Sequence, residues 1–569
     1  MAETLISPGV LARENDQSLV TAKPLTRGAA LIGPTVKGPV EKPVYISSFG
    51  SFQTIFGGVL QSGSSNFTYL TSVAANNYFS SGGTSLLVTR VTSGSFSSAN
   101  STEIVNGSST NSFTLETISE GEIMNSSGPE IGSGSLASGS ADNIRWEIAS
   151  VNTSSGVFSL LIRRGNDNNN QKVILESFNN ISLDPFSTNY ISRAIGDITS
   201  TLIADSEGTY LQESGNYPNI SNYVRVKSTT NTPHYFDNAG NAKTEYTGSL
   251  PSIGSGSFNS ALGSNINAQD PNHFNENISI VNTQGLNGSD YDDAINLLAN
   301  QDDFQYNVIS APGLYYADYP SQCNLIKNNT ISRGDAIYIL DLVAYDKPIA
   351  DVLTAASGID SSYAAAYWPW VQTVDPNTGL LVYVPASTMI PGVYAFTDAS
   401  SDPWFAPAGI TRGGLGSVVR AERKLTSGNR DTLYEGNVNP IATFPQQGVV
   451  VFGQKTLQKA ATALDRINVR RLLITLKGYI SQIADNLVFE ANTIATRQNF
   501  LIQVNPYLES VQQRQGLYSF KVVMDESNNT PDVIDRNELV GQIFLQPTKT
   551  AEFIILDFNV LPTGATFDN

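Results

Sequence analysis

The sequence predicts a multidomain protein of α/β and α+β class. It should have a discontinuous α/β domain interrupted by a β-rich insertion, plus a C-terminal α+β domain with extended N- and C-terminal arms. Apolar strand and helix patterns fill the chain up to Val91, give way to Gly, Ser and Asn runs with short strands, and return at Ile278. We expect the N-terminal arm at 1–25, the α/β domain at 26–91 and 278–420, the surface insertion at 92–277, the C-terminal domain at 421–550 and the C-terminal arm at 551–569.

The residues before and within the insertion supply the first elements. Ser7-Pro8-Gly9-Val10 predicts a turn in an arm without helical period, and later prolines hold the chain in strand or loop form. Tyr69–Phe79 has helical spacing, whereas Ser85–Val91 is an apolar strand candidate. The clearest strands of the insertion are Asn143–Ala149, Val157–Arg164 and Lys172–Phe178.

Strand and helix patterns resume after the insertion. Tyr291–Asn300 is amphipathic, Tyr306–Pro312 and Ala336–Leu342 are apolar strand candidates, and the Pro- and Gly-rich stretch Val384–Gly409 predicts loop. The C-terminal part is the most regular. Its predicted elements are a strand at Val449–Phe452, helices at about 466–488 and 496–510, strands at Leu517–Met524 and Leu539–Leu545, and a β-prone tail, Ala551–Val560.

The composition excludes several classes of function. The net charge of −18, from 33 Lys and Arg against 51 Asp and Glu, disfavours binding to nucleic acid. The single cysteine, Cys323, excludes an internal disulfide framework and fits a reducing compartment, where we expect it as a buried, inert thiol. The N-terminus lacks the pattern of a signal peptide, and we see no uncharged apolar run long enough to cross a bilayer. We therefore expect a soluble intracellular product without direct membrane insertion.

Catalytic chemistry lacks support in the sequence. The chain has two histidines, His234 and His273, and neither has a His or Cys partner at metal-ligand spacing. Phosphate-cradling GxxxxGK[ST] and a strand-linked GxGxxG are absent from the sequence. The acidic pairs Asp292-Asp293 and Asp302-Asp303 are best explained as charge flanking a helix, and Asp292 and Asp293 fall near a helix N-terminus, where the dipole favours anions. The alternative is a Mg²⁺ or glycosidase site, which needs a cleft that the sequence does not reveal. We expect no enzyme activity, no cofactor and no metal.

Short motifs near the start, in the middle and at the C-terminus fit one known family in order. They are Leu5–Val10 (LISPGV), Gly28–Pro39 (GAALIGPTVKGP), Val384–Ala408, Asp465–Leu472 (DRINVRRL), Phe489–Asn492 (FEAN), Tyr518–Asp525 (YSFKVVMD), Asn528–Pro531 (NNTP) and Gly541–Pro547 (GQIFLQP). Together these segments resemble the contractile bacteriophage tail sheath family (myovirus-type). The resemblance covers about the first ninety residues and nearly everything after Ile278, whereas the insertion matches least well.

The resemblance implies a structural subunit of a virion tail, made in the host bacterial cytoplasm. Such subunits form stacked hexameric rings around a tail tube protein, with baseplate and tail terminator proteins at the ends, and contract to drive the tube through the host envelope for genome ejection. The C-terminal domain would face the tube. An N-terminal and a C-terminal arm would each add a strand to a neighbour's small sheet; the candidate arm residues are Leu5, Ile6, Val10, Phe553, Ile554, Ile555 and Leu556. The alternative is that Ala551–Val560 pairs within its own domain.

A basic stripe on the C-terminal helix is a candidate tube contact. Arg466, Arg470 and Lys477 are spaced to share one helix face, and an exposed basic patch on an acidic protein indicates an electrostatic partner. The alternative is that the three side chains form ion pairs within the subunit with nearby carboxylates, such as Asp465, Asp485 or Glu490.

Three other functions remain open at this stage. The sequence cannot separate a phage sheath from the sheath of a phage-tail-like bacteriocin or extracellular injection system, a question that neighbouring capsid and terminase genes would decide. The Ser- and Asn-rich insertion also suits a surface adhesin, although the N-terminus lacks a signal peptide pattern. An acidic polysaccharide-active enzyme is the third alternative, which replacement of carboxylates and turnover assays would test.

Overall fold

The first described segment supplies two buried parallel strands. The structure is a computed structural model that describes residues 27–62, 65–124, 130–132, 134–206, 208–263 and 278–552. The strands Ala29–Gly33 and Leu86–Arg90 are buried along their whole length, as in sheets covered on both faces. The elements are β1 (Ala29–Gly33), β2 (Val44–Ile46), α1 (Phe49–Phe56), β3 (Leu60–Ser62), β4 (Ser65–Phe67), α2 (Leu70–Ser80) and β5 (Leu86–Arg90).

The next segment forms a separate, mainly antiparallel eight-stranded sheet with its own apolar core. Strands such as Asn111–Glu120 and Val157–Arg164 largely alternate buried and partly buried positions, because successive side chains point to opposite faces of a sheet. The elements are β6 (Ser98–Ser101), β7 (Ile104–Val105), β8 (Asn111–Glu120), β9 (Ile144–Asn152), β10 (Val157–Arg164), β11 (Ile174–Ser182), α3 (Ile191–Ile195), β12 (Thr199–Asp205), β13 (Gly208–Ser214), β14 (Val224–Thr229), α4 (Thr244–Thr247) and β15 (Gly254–Asn259).

The third segment alternates strands and helices. The stretch Val384–Gly409 is not the predicted loop, because it contains the helix Ile390–Ser400. Pro391 lies in the first turn of this helix, where backbone N–H groups have no partner within the helix, so the missing N–H of proline costs nothing there. The elements are α5 (Asp292–Leu297), β16 (Val308–Tyr315), α6 (Pro320–Arg333), β17 (Ile337–Asp341), α7 (Ile349–Ser357), β18 (Ala364–Trp368), β19 (Val371–Val374), β20 (Leu381–Val384), α8 (Ile390–Ser400), α9 (Gly409–Arg412), β21 (Val418–Ala421), α10 (Ser427–Glu435), β22 (Asn439–Phe444) and β23 (Gly448–Val451).

The first and third segments meet in one large sheet. Its eight strands lie in the order β2-β5-β1-β16-β17-β18-β22-β23, and β1 pairs in parallel with both β5 and β16. The sheet does not end at residue 420, where we placed the domain boundary. Tyr367 of β18 pairs with Asn439 of β22, so the sheet continues to Val451. A short apolar strand gives no local sign of which sheet it joins, which is why the boundary was misplaced.

One buried arginine ties the two large sheets together. Arg90, at the end of β5, is 0% exposed and donates to the backbone carbonyls of Gly38 at 2.6 Å and Glu120 at 2.8 Å. The Glu120 carboxylate in turn accepts from Lys42 Nζ at 2.6 Å and from the Val40 amide at 2.9 Å. The insertion is therefore held against the large sheet where the chain crosses between them.

The last described segment is two long helices covered by a small sheet. Its elements are α11 (Ile467–Asp485), α12 (Ile494–Gln513), β24 (Leu517–Val523), α13 (Pro531–Asp535) and β25 (Gln542–Pro547). Thr493 caps the start of α12 by accepting from the Thr496 amide. Among the described residues, none of the helices has the length and apolarity that a membrane span requires.

A buried carboxyl in the large sheet gives the first prediction. Asp341, at the end of β17, accepts from the Ser387 amide at 3.1 Å, and burial raises the pKa of Asp341 to about 7, although the Ser387 bonds lower it. A raised pKa favours the neutral form in the folded state. This contribution to stability is therefore full below pH 4 and is lost as the pH rises to about 7.

We predict that Asp341→Asn removes this pH dependence. The unfolding free energy of the variant relative to the parent should rise between about pH 4 and 7, by an amount on the order of a few kcal/mol. Thermal or urea unfolding at pH 4.5, 6 and 8 measures it. The matched control is Asp351→Asn, at an exposed position of α7. A difference between Asp341→Asn and the parent that stays constant with pH would contradict the assignment.

Candidate assembly site in the C-terminal segment

The sheet of β24 and β25 is open on both sides within the described residues. These strands pair only with each other there, from Leu517↔Pro547 to Val523↔Gln542. An isolated two-stranded sheet is marginally stable in water and needs packing or further strands. Each outer edge presents backbone N–H and C=O groups that another strand can pair with.

The two faces of this sheet differ in character. Phe520, Val522, Ile543 and Leu545 are partly buried and pack against the apolar core of the segment. On the other face Tyr518 and Phe544 are 76% and 57% exposed. The sheet is therefore supported on one face, while its other face and both edges are available to a partner in the described subunit.

The helix pair beneath the sheet forms a compact apolar core. α11 contributes Leu472 and Leu476, and α12 contributes Phe500, Val504 and Leu508. All five positions follow the helical spacing of an apolar face. This core makes the sheet a fixed platform rather than a free hairpin.

Two arginines in the first turns of α11 join the platform to the large sheet. Arg470 is 4% exposed, lies 4.0 Å over the ring of Tyr363 and hydrogen bonds to Ser362. Arg471, also 4% exposed, lies 4.5 Å over the Tyr394 ring. Cation–π contacts are stronger when the cation is removed from water.

Arg471 also makes a carboxylate pair. Its Nη2 donates to both oxygens of Asp398 on α8, each at 2.6 Å. Burial raises the pKa of Asp398, and the adjacent Arg471 guanidinium offsets part of that rise. We call Arg470, Arg471 and their partners Tyr363, Tyr394 and Asp398 the arginine clamp.

A third arginine holds the last described residue. Arg466 precedes α11 and donates to Glu552 through Nε at 2.7 Å and Nη2 at 3.0 Å. Gln454 and Tyr434 donate to the same carboxylate at 3.0 Å and 2.9 Å. Burial raises the pKa of Glu552, but hydrogen bonds from Arg466 and Gln454 outweigh it and keep the pKa below its usual value.

The predicted basic stripe is not formed. Arg466 lies before the helix and pairs with Glu552 and Asp465, and Arg470 is buried in the arginine clamp, so only Lys477 of the three is exposed. The helical spacing was correct for Arg470 and Lys477, but spacing does not show which end of a helix packs against another domain. The candidate arm residues Leu5, Ile6, Val10, Phe553, Ile554, Ile555 and Leu556 lie outside the described residues.

The sequence analysis missed an exposed aromatic tip between the helices. Phe489 is fully exposed and has φ +71°, a conformation rarely adopted by a bulky residue, and Val488 beside it is 60% exposed. The sequence signal that could have indicated this tip is the pair of apolar residues, Val488 and Phe489, that follows the last turn of α11. Strained, exposed positions of this kind cluster at functional sites.

The structure places several of the residues that the sequence analysis considered for catalysis. Burial raises the pKa of the Cys323 thiol to about 12, so it is an inert side chain. Asp292 and Asp293 occupy the first turn of α5, as expected of helix-flanking charge. Within the part of the chain that the structure describes, no group of three or more His, Cys, Asp and Glu could hold a metal ion. His273 lies outside the described residues.

The region that contains the open sheet matches a known family. The model of the phage tail sheath C-terminal domain matches residues 459–561. The tail sheath protein of Vibrio phage KVP40 is 41% identical over 217 residues, which is 38% of this chain and 31% of that protein. The C-terminal region of this chain is therefore similar to the tail sheath proteins of contractile phages.

A second phage protein and a solved structure show the same similarity. The tail sheath protein of Enterobacteria phage T4 is 37% identical over 210 residues, covering 37% of this chain and 32% of that protein. The match thus spans about a third of the length of these relatives. The crystal structure of a sheath tail protein from Listeria innocua has the same fold at 11% identity, with a TM-score of 0.51 over 93% of this chain and 96% of that one.

We predict that Arg471→Met destabilises the fold by about 2–4 kcal/mol, because it leaves Asp398 partly buried without its cation. The matched control is Arg514→Met, which removes a pair with Asp402 of the same 2.6 Å length but with an arginine that is 46% exposed. That change should cost under about 1 kcal/mol. Urea unfolding measures both, and equal losses would show that the arginine clamp has no special role.

Proposed function

We propose that the chain is a structural subunit of a contractile phage tail sheath. It polymerises as stacked hexameric rings around the tail tube and contracts to drive the tube through the host envelope for genome ejection. The observation that carries the proposal is the open sheet of β24 and β25 inside the region that matches the family model. Its place is in the virion, with baseplate and tail terminator proteins at the two ends of the sheath.

The open sheet gives the subunit a means of polymerisation. Strand addition supplies main-chain hydrogen bonds from the partner, and the alternate side chains of the added strand supply specificity. The exposed Tyr518 and Phe544 lie beside both open edges and can cover part of an added strand. Two edges accept two strands, so one sheet can link a subunit to two neighbours.

The positions where the described chain ends support arms as the added strands. The guanidinium of Arg27, the first described residue, lies beside Gly478 of α11. Glu552, the last described residue, is held by Arg466 at the start of the same helix. Extended chain spans roughly 3.3 Å per residue, so both segments can reach a neighbouring subunit. Leu5, Ile6 and Val10, and Phe553 to Leu556, are the proposed strand residues.

Linked arms provide a physical account of contraction. The strand pairings persist while the chain between arm and platform bends, so rings can rotate and slide without dissociating. The work comes from the difference between two packings of the same subunits, as in other bistable assemblies. Such a mechanism needs neither a nucleotide nor a catalytic residue.

Deletion of residues 1–20 tests the arms. We predict a folded subunit that no longer forms tubes or rings, because one open edge loses its partner strand. Negative-stain electron microscopy detects the polymer, and circular dichroism checks the fold. The matched control replaces residues 1–20 by a Gly/Ser segment of equal length, which should also fail to assemble. Normal tubes from either variant would overturn the role of the N-terminal arm.

Lys477 tests the contact with the tube. We predict that Lys477→Glu weakens co-sedimentation with purified tail tubes roughly fivefold, because each subunit loses about one charged contact with the tube. The unfolding free energy of the variant should equal that of the parent. Lys424→Glu, at an exposed position outside the C-terminal segment, is the matched control for a general charge effect. Reversal of Arg466 or Arg470 is unsuitable, because both are paired within the subunit. Equal effects of the Lys477 and Lys424 variants would argue against a tube contact at α11.

A further inference from the structure

A cavity of about 450 Å³ lies where the described chain ends. Its wall contains residues from α10, from the segment that leads into α9, and from the start and end of the β22–β23 hairpin. Ala406, Ala408, Arg430, Pro440, Phe452 and Tyr434 are among them. A space of this size accepts an aromatic side chain together with an aliphatic one.

The wall presents an aromatic surface that the described residues leave partly uncovered. Phe452 is 45% exposed, and its ring lies 4.9 Å from that of Phe444. Arg430 lies 5.3 Å from the Phe444 centroid and 5.8 Å from the Phe452 centroid, which fixes both rings. Exposed apolar surface of this kind is stabilised when another apolar group covers it.

The C-terminal tail begins at the rim of this cavity. Thr550, Ala551 and Glu552 line it, and Glu552 is held by Arg466, Gln454 and Tyr434. The next four residues are Phe553, Ile554, Ile555 and Leu556, followed by Asp557. The first apolar side chain of the tail is thus one residue, about 3.8 Å along the chain, from a residue of the cavity wall.

We propose that, in the unassembled subunit, Phe553 and Ile555 of the same chain occupy this cavity. In an extended chain, alternate side chains share a side, so these two enter together while Ile554 and Leu556 face outward. The same chain is favoured over a second copy because the tail is tethered at the rim, which gives it a high effective concentration there. The cavity then covers the apolar side chains of the tail until the tail binds to the open sheet of a neighbouring subunit. This inference concerns the free subunit and goes beyond the proposed function.

Disulfide trapping in the full-length chain tests the docking. Ala408→Cys is combined in turn with Ile554→Cys, Ile555→Cys and Leu556→Cys, and the proteins are oxidised at a concentration where they are monomeric. Cys323 is 1% exposed and does not compete. Because a disulfide requires Cα atoms within about 7 Å, we expect an intrachain bond with residue 555 that forms at least about tenfold faster than in a control pair. The control pair is Leu380→Cys, at a position 67% exposed on another hairpin, with Ile555→Cys.

A mixture of the two single variants distinguishes the same chain from a second copy. Ala408→Cys chains mixed with Ile555→Cys chains should give no disulfide-linked dimer under the same conditions. A dimer as abundant as the intrachain product, or no disulfide with any of the three tail positions, would overturn the docking. These results do not depend on polymer formation. The test can therefore contradict the docking without contradicting the sheath function, and a failure of the sheath function would leave the docking result unaffected.

Discussion

Backbone left unpaired within the described residues, at the edges of the β24–β25 sheet, is the constraint on which the rest of the C-terminal segment depends. Two strands alone pair with each other on one side only, so each outer edge presents N–H and C=O groups to a further strand. The helix pair solves half of this problem by covering one face of the sheet. In our proposal the other half is solved by strands from neighbouring copies, so stability and assembly have the same physical origin.

The arginine clamp holds the C-terminal helix pair to the rest of the described subunit. Arg470 and Arg471 hold the start of α11 to the large sheet through Tyr363, Tyr394 and Asp398, all within the described residues. Arg90 holds the insertion against the same sheet. Breaking such buried contacts is costly, so the described parts should move as one body.

The sequence predicted the local elements of the C-terminal segment well and their tertiary contacts poorly. The helices expected at 466–488 and 496–510 are Ile467–Asp485 and Ile494–Gln513, since a regular apolar stripe marks a helix that packs on one side. The mixed α/β, multi-sheet class is confirmed. The sequence analysis did not predict that Asn439–Phe444 joins the large sheet or that Arg470 is buried. Both facts depend on contacts with residues that are distant in the sequence. Helix α8 was also missed, because the proline and glycine content of this stretch predicts a loop.

Hydrogen exchange at the outer edges of β24 and β25 tests the central claim most directly. Amide exchange in these two strands is compared between the free subunit and the assembled polymer by mass spectrometry, with β16 as an internal reference buried in both states. Strand addition predicts strong new protection of β24 and β25 in the polymer and no change in β16. Polymers in which both strands exchange as fast as in the free subunit would show that assembly does not use the open sheet.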